Sequence, residues 1–481
     1  MNITRKTFDE VMFQCYKPMN MVVAKAHGAK VTDTEGKEYI DFTSGIAVNC
    51  LGHTPKGVQK VVKKQVGELI HCSNVFTNVR TLELAKKLTK KTGYDRVFFV
   101  NSGAEANEAV LKLARRAAFN DFGADKNEII SFNNSFHGRT LFSVSVGGQD
   151  KYSDGFGPKP AAITHLPFND LKAFEKAVSD KTCAVIVEPV QGEGGIVPAD
   201  KKFLEGLRSA CTKHHAMLIF DEIQTGIGRT GTFFCYEQTG VKPDAVTFAK
   251  GIASGLPLGG VLTYDNFAKH FSLGTHGSTF GGNPLACAVG SYIVDTVGDR
   301  DFLDEVKAKG QSLVKAIEKL NQKYKLFKEI RGKGLLIGCV LVDGLKGKSG
   351  ELMQCCFKHG LLTLVAGHDV LRIAPPLNLK DKAKAQGLLL LDQAMEDFAK
   401  TVRAETKAKA AAVKDTKTKA GDKKPSVKST AVSSASAKNS KLAASTKKPA
   451  VKKTSAKKAP AKNAKVSGQK SPAKKSTVSK K

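Results

Sequence analysis

The sequence predicts an α/β protein whose large domain is a mostly parallel sheet wrapped by helices. Three observations carry that prediction. Five short runs, "RVFFVN" (96–101), "NEIISF" (127–132), "CAVIVEPV" (183–190), "AMLIFDEI" (216–223) and "AVTFA" (245–249), are nearly continuously apolar. Strands of that kind are buried on both faces, as in a sheet covered on both sides. Amphipathic helical patterns alternate with them, at 105–119 and 201–215, and this alternation winds a parallel sheet through crossover connections. At 481 residues the chain is long enough for two or three packed domains.

The elements follow in order. Residues 1–50 read differently from the rest. "NMVVAKAHGAKVTDTEGKEYIDF" (20–42) is a set of strands around a Glu35-Gly36 turn, expected to pack with a smaller domain. Residues 51–295 hold the five apolar runs and form the large domain. From 296 the pattern changes again. A helix at 302–322 leads to "LLIGCVLV" (335–342), a further helical pattern to "LLTLVAGHDVLRIAPPL" (361–377), and a last helix spans about 381–400. Residues 296–403 are therefore a smaller α+β domain. Near 403 complexity collapses. "KKPAVKKTSAKKAPAKNAK" (447–465) typifies 404–481, which has no aromatic residue and too little apolar surface to offset its ordering entropy. Disorder is the expectation for it.

Charge divides the chain in the same place. The formal net charge is +31, but residues 401–481 hold 24 Lys and Arg against three acids, Glu405, Asp415 and Asp422. That is +21 in the tail and +10 in the remaining 400 residues. A disordered cationic arm without aromatic side chains binds phosphate backbones without sequence preference, whether nucleic acid or another polyanion. A merely solubilising tail is the competing reading. No apolar run approaches the roughly 18 residues of a membrane span, and "MNITRKTFDEVMF" has no apolar signal core. The ten cysteines show neither CxxC nor zinc spacing, so they read as reduced core residues of a cytoplasmic protein.

Open α/β sheets bind ligands beyond the carboxyl ends of their strands. After "RVFFV" comes "NSGAEANE" (101–108), where Ser102, Gly103 and Ala104 enter a helix. Small residues there let backbone N–H groups approach a phosphate, although the same residues also suit a plain helix cap. After the next strand comes "NNSFHGRT" (133–140), with Phe136 as a stacking ring and Arg139 as a carboxylate fork. "VEPVQGEGG" (187–195) brings Glu188 and Glu193, with no His or Asp at metal-ligand spacing, so no metal is expected. "MLIFDEIQTGIGRTG" (217–231) places Asp221 and Glu222 at the end of a strongly apolar strand, where charge is costly unless matched. "GIGRTG" (226–231) fits G-x-G-x-x-G, but no amphipathic helix follows, so a dinucleotide fold is excluded. "GLKGKSG" (344–350) lacks the first glycine of a phosphate loop. Lys250 stands where "AVTFA" stops. A desolvated lysine at that sheet edge can act as a Schiff-base nucleophile, and an acid opposite it is what a pyridinium nitrogen requires. Phosphate turn, stacking ring, acid and lysine together describe a pyridoxal 5′-phosphate site.

These motifs resemble a known family. "NSGAEANEAVLKLARR", "FHGRT", "EPVQGEGG", "FDEIQTGIGRTG", "FAKG" and "HGSTFGGNPLACA" (276–288), in this order, are similar to the class III, fold-type-I aminotransferases over residues 4–400. "GAEANEAVLKLAR" and "SGIAVNCLGHTP" (44–55) are most similar to the acetylornithine branch. Ornithine-δ-aminotransferases usually carry Tyr where Ile46 stands, and Thr54 departs from a His common in the branch.

The resemblance implies the following roles. Lys250 attaches the cofactor and Asp221 pairs with its ring nitrogen, with Glu222 beside it. Gln224 donates near the ring hydroxyl, Phe136 stacks on the ring, and Ser102, Gly103 and Ala104 hold the phosphate. Thr279 reaches the phosphate from a neighbouring subunit, with Ser278 near the substrate, which implies a homodimer with shared sites. Arg139 and Arg372 bind substrate carboxylates, and Glu193 masks Arg372 in one half-reaction. The implied activity moves the terminal amine of N2-acetylornithine to 2-oxoglutarate, a step of arginine biosynthesis. N-Succinylornithine, N-succinyl-diaminopimelate, 4-aminobutyrate and ornithine stay open as donors, with Ile46, Ser73 and Asn74 lining the acyl pocket. A body that serves mainly as carrier of a nucleic-acid-binding tail also stays open. The tail segments "KKPA", "KKAPA" and "SPAKK" resemble those of linker histones.

Overall fold

The computed structural model describes residues 3–421. Its centre is a seven-stranded sheet in the order Arg96–Val100, Gly259–Thr263, Ala245–Phe248, Met217–Asp221, Thr182–Val187, Glu128–Phe132, Ile163–Leu166. All neighbours are parallel except Gly259–Thr263, which runs antiparallel to the strands on both sides. The five apolar runs are thus five of its strands, and the central ones are buried along their whole length. That burial on both faces is why they lack alternation.

The helix Gly103–Phe122 covers one face through Ala106, Ala109, Val110, Leu113 and Ala114, against Ile129, Ile186 and Ile219. Alanines on that stripe let the helix axis lie close to the sheet. Phe132, Phe203 and Phe220 belong to the core on the other face.

Two strands were not expected. "ITHL" (163–166) is a half-exposed edge strand with too little apolar pattern to read. "GGVLT" (259–263) begins with two glycines and reads as a turn. Packing explains them: a Cβ on Gly259 would stand 2.8 Å from the Ser102 carbonyl oxygen, and one on Gly260 would stand 2.6 Å from the Phe248 ring.

The N-terminal strands Val23–His27, Lys30–Asp33 and Glu38–Asp41 form an antiparallel sheet that Leu361–Leu362 joins in parallel. A second sheet, in the order Phe327–Lys333, Leu336–Leu341, Val370–Ile373, Leu364–Ala366, is antiparallel throughout, with Gly338 opposite Arg372. The last helix, Asp381–Gly421, runs past the boundary expected at 403. Alanine and lysine favour helix, and neither glycine nor proline interrupts residues 404–420. Lys348 Nζ donates to Glu405 Oε2 at 2.6 Å. The rest of the basic tail, 422–481, and its expected disorder lie outside the described residues. No described helix is long and apolar enough to cross a membrane, and all ten cysteines are unpaired.

Candidate active site

The strand ends converge on a cavity of about 470 Å³ lined by Ser102, Gly103, Ala104, Phe136, Arg139, Glu188, Glu193, Asp221, Gln224 and Lys250, closed by Val48 and Leu256 to Leu258. Nine of the site residues named from the sequence therefore share one space, although they come from five separate segments. A larger, mostly apolar cleft of about 650 Å³ lies between the helix Gly103–Phe122 and residues 265–271. Its only charged lining groups are Arg96, Asp265 and Lys269, so it holds no comparable constellation.

Asp221 ends its strand almost fully buried, at 4 % exposed. Its Oδ2 accepts from Asn107 Nδ2 at 2.7 Å and lies 2.8 Å from His137 Nδ1, while Oδ1 accepts from the Ile223 N–H at 3.1 Å. Asn107 also donates to the His137 carbonyl at 2.7 Å. These contacts fix the orientation of the carboxylate in a dry setting, where a charge is costly unless matched by a partner.

Lys250 follows the neighbouring strand, beyond Thr247, the register partner of Asp221. Its backbone is left-handed at φ +45°. Burial pushes its ammonium below the usual lysine range, and the nearby Glu193 and Asp221 carboxylates only partly offset this. Its nitrogen makes no hydrogen bond or ion pair among the described residues. Desolvation acts in the direction of the neutral amine, the form a nucleophile or proton carrier requires.

The anion turn is the N-terminus of a 20-residue helix. Ser102 is its cap: Oγ accepts from the Glu105 N–H at 3.2 Å. The cap reading and the phosphate reading are both compatible with this, because the hydroxyl keeps its proton and the Gly103 and Ala104 N–H groups remain first-turn donors. A Cβ on Gly103 would meet Ile223 at 2.8 Å, and one on Gly138 (φ +135°) would meet Ser143 Oγ at 2.4 Å.

Of the two arginines expected to bind carboxylates, Arg139 lines the cavity and Arg372 does not, reaching it only through Glu193 and Gln224. Arg139 is exposed and lies 3.9 Å from the Tyr152 ring centroid and 5.7 Å from that of Phe136, with its fork unpaired to any acid among the described residues. Arg372 is buried. Its Nη1 pairs with Glu193 Oε1 and donates to Gln224 Oε1 at 3.3 Å. Gln224 Nε2 donates to Glu193 at 3.2 Å, closing the triangle. Burial raises the Glu193 carboxyl, but Arg372 more than offsets it and holds it below the ordinary range.

Three further residues stand elsewhere than expected. Glu222 is not in the cavity. It is fully buried, and its oxygens accept from the Cys235 and Tyr236 N–H groups (2.6 and 2.7 Å) and the Thr225 hydroxyl (2.9 Å). It braces the 222–236 loop, because successive strand-end residues point to opposite sides. Ser278 lies beside the site rather than in it, with Oγ accepting from Asn101 Nδ2 at 3.2 Å. Thr279 is exposed and lines no part of its own chain's cavity. Conversely, His137 and Asn107 were not singled out. Both look like core residues in sequence, and only their convergence on Asp221 reveals them. Glu188 was noticed without a role; its oxygens accept from the Phe136 N–H (2.9 Å) and Gly192 N–H (3.0 Å), and burial pushes its carboxyl up.

A buried carboxylate held by Asn107 and His137, a desolvated lysine, an aromatic ring and a helix N-terminus around one cavity define a pyridoxal-phosphate enzyme of the fold-type-I class. The residues present fit that cofactor, acid to ring nitrogen and backbone donors to phosphate. Comparison with known proteins narrows the class. The sequence matches the family described as "Aminotransferase class-III" over residues 12–395, and the chain belongs to that family. It is 51 % identical to acetylornithine aminotransferase of Vibrio cholerae over 395 residues, covering 82 % of this chain and 98 % of that one. It is 48 % identical to succinylornithine transaminase of Yersinia pseudotuberculosis over 406 residues, covering 83 % and 98 %. Its fold matches the crystal structure of N-acetylornithine aminotransferase from Stenotrophomonas maltophilia with a TM-score of 0.72 at 37 % identity, over 80 % of this chain and 98 % of that one. The chain is a pyridoxal-phosphate-dependent transaminase.

Proposed function

We propose that the chain transfers the terminal amino group of N2-acetylornithine to 2-oxoglutarate, giving N-acetylglutamate semialdehyde and glutamate, in arginine biosynthesis. The observation that carries the reading is that Glu193, which lines the Lys250–Asp221 cavity, pairs with the buried Arg372, while Arg139 lines the same cavity without an acid partner among the described residues. A transaminase of this kind must accept a long monocarboxylate amine and a dicarboxylate keto acid in one space. Arg139 holds a carboxylate of either. Glu193 covers the Arg372 charge for the amine and releases it for the second carboxylate of the keto acid; without a partner that guanidinium is costly to bury.

Bound pyridoxal phosphate supplies an amine acceptor and an electron-poor ring that spreads carbanion charge. Asp221, held by Asn107 and His137, keeps a proton at the ring nitrogen. The Gly103 and Ala104 N–H groups and the Ser102 hydroxyl hold the phosphate, Phe136 covers a ring face, and Gln224 donates near the ring hydroxyl. Lys250 Nζ would anchor the cofactor at rest and then hold and move the proton taken from the amine-bearing carbon of the donor.

The reading extends to a homodimer in which Thr279 serves the partner's phosphate. Val75, Phe76, Leu273 and Phe280 are exposed apolar residues on the segments flanking Thr279, and Asn74 Nδ2 ties those segments together through the Ser278 and Gly281 carbonyls. Such a patch suits a subunit interface. A donor panel with 2-oxoglutarate as acceptor tests the activity. N2-acetylornithine should lead in kcat/KM by about tenfold or more over ornithine and 4-aminobutyrate. N-Succinylornithine leading instead would transfer the assignment to that donor, which the 48 % identical relative supports as the second reading. For the basic tail, the reading is non-specific polyanion binding. Ending the chain at Gly421 should leave turnover intact and abolish salt-sensitive retention on immobilised DNA.

A further inference from the structure

The run "GIGRTG" carries a side chain for which the cavity chemistry has no use. Arg229 heads the largest fully buried side chains among the described residues, at 2 % exposed, and it forms no ion pair with any of them. Its Nη1 donates to two carbonyls at once, Leu335 at 3.1 Å and Pro375 at 2.6 Å, while Nε and Nη2 are buried without partners. Its own carbonyl accepts from the Leu335 N–H at 3.0 Å. Burial lowers the guanidinium to about 10, with the Cys50 thiol and Asp41 partly offsetting it, so the group stays cationic at neutral pH.

A buried guanidinium without a carboxylate is an expensive way to fill space. What it supplies, and an apolar side chain cannot, is a donor shared by two acceptors. Those acceptors have a particular place. Leu335 leads into the strand Leu336–Leu341, and Pro375 follows the strand Val370–Ile373. The two strands pair antiparallel, with Ile337 opposite Ile373 and Gly338 opposite Arg372. Arg229 Nη1 therefore staples together the end of the strand pair that bears Arg372. The loop that delivers Arg229 begins at Asp221 and passes through Gln224, whose Oε1 accepts from Arg372. One short stretch, 221–229, thus joins the acid on the cavity floor to the backbone that aims the buried arginine.

We propose that Arg229 is a positioning residue that sets where Arg372 presents its guanidinium to the second carboxylate of a dicarboxylate acceptor, the one an ω-amine donor lacks. The inference rests on the role given to Arg372 under the proposed function. It predicts a one-sided defect, confined to dicarboxylate recognition, because Arg139 and Lys250 hang from other elements.

The test uses the full-length holoenzyme and measures binding of glutarate, an unreactive dicarboxylate, by calorimetry, with valerate as the monocarboxylate control. Single-turnover rates with the amine donor and with 2-oxoglutarate are measured separately. Arg229→Met should weaken glutarate and raise the Michaelis constant for the keto acid about tenfold, while valerate binding and the donor half-reaction change by less than about twofold. Arg229→Lys, which keeps one donor, should recover part of the loss, and it carries the test if the methionine variant does not fold. Equal losses in the two half-reactions would show a merely structural role and overturn the inference. So would unchanged glutarate affinity in an Arg229 variant when Arg372→Met loses it. Unchanged affinity in Arg372→Met would instead remove the role of Arg372, and the inference with it.

Discussion

Lys250 combines two unfavourable states, a left-handed backbone at φ +45° and a buried ammonium without a partner among the described residues. A non-glycine residue in that backbone region costs about 1–3 kcal/mol. The Glu193 and Asp221 carboxylates offset the burial only in part, and the proposed role as cofactor anchor accounts for a lysine held in this state. Lys250→Ala should abolish the visible absorbance of the purified protein and lower turnover by about four orders of magnitude, while thermal stability without cofactor is kept or improved. Glu222 is the opposite case, a buried acid serving structure. Its carboxyl is raised by burial from 4.5 to about 7. The folded chain then holds this proton more tightly than the unfolded chain. Stability from it is complete below about 4.5 and is lost as pH rises through about 7. Thermal melts between about pH 5 and 8 should therefore show the melting temperature falling with pH. The slope should be shallower in Glu222→Gln, by about 2–3 kcal/mol across that range.

The helix Gly103–Phe122 ties the chemistry to the fold: its first turn faces the cavity and its alanine stripe faces the sheet. A methyl group at Gly103 would press on Ile223, two residues from Asp221. Gly103→Ala should accordingly weaken retention of pyridoxal phosphate about tenfold in dialysis, with little change in the fold by circular dichroism. Elements of this kind explain what was legible in the sequence. The buried parallel strands announce themselves because they are almost continuously apolar, and in "MLIFD" nothing is polar until the carboxyl end, so it yields both a strand and Asp221. Gly259–Thr263 was hidden because its glycines answer to a neighbouring backbone and a neighbouring ring, which no local pattern encodes. His137 and Asn107 were hidden for a related reason. A polar residue among apolar ones looks the same whether it meets a backbone carbonyl or the acid of an active site. Glu222 shows the converse error, since adjacency to Asp221 in sequence places it on the other side of the strand end.

At the scale of the molecule, the cavity of one chain lacks Thr279, which stands exposed on the surface. If a partner supplies it, two defective chains can repair each other. Lys250→Ala and Thr279→Ala chains, unfolded together and reassembled, should form mixed dimers with one intact site each, restoring about a quarter of wild-type activity from an equal mixture. Restoration no greater than the sum of the two parents would place Thr279 in its own chain's site.

The antiparallel strand Gly259–Thr263 has a consequence in time as well as space. It is the wedge between Arg96–Val100 and Ala245–Phe248, and its Gly259 lies against the carbonyl of Ser102. During synthesis on the ribosome, the phosphate turn at 102–104 is made long before the lysine it serves, and the two become neighbours only when this wedge enters. A nascent chain halted at residue 255 carries every ring-contacting group of its own site, yet has no pocket. Cofactor capture is thus expected late in folding: chains halted before residue 259 should not retain pyridoxal phosphate.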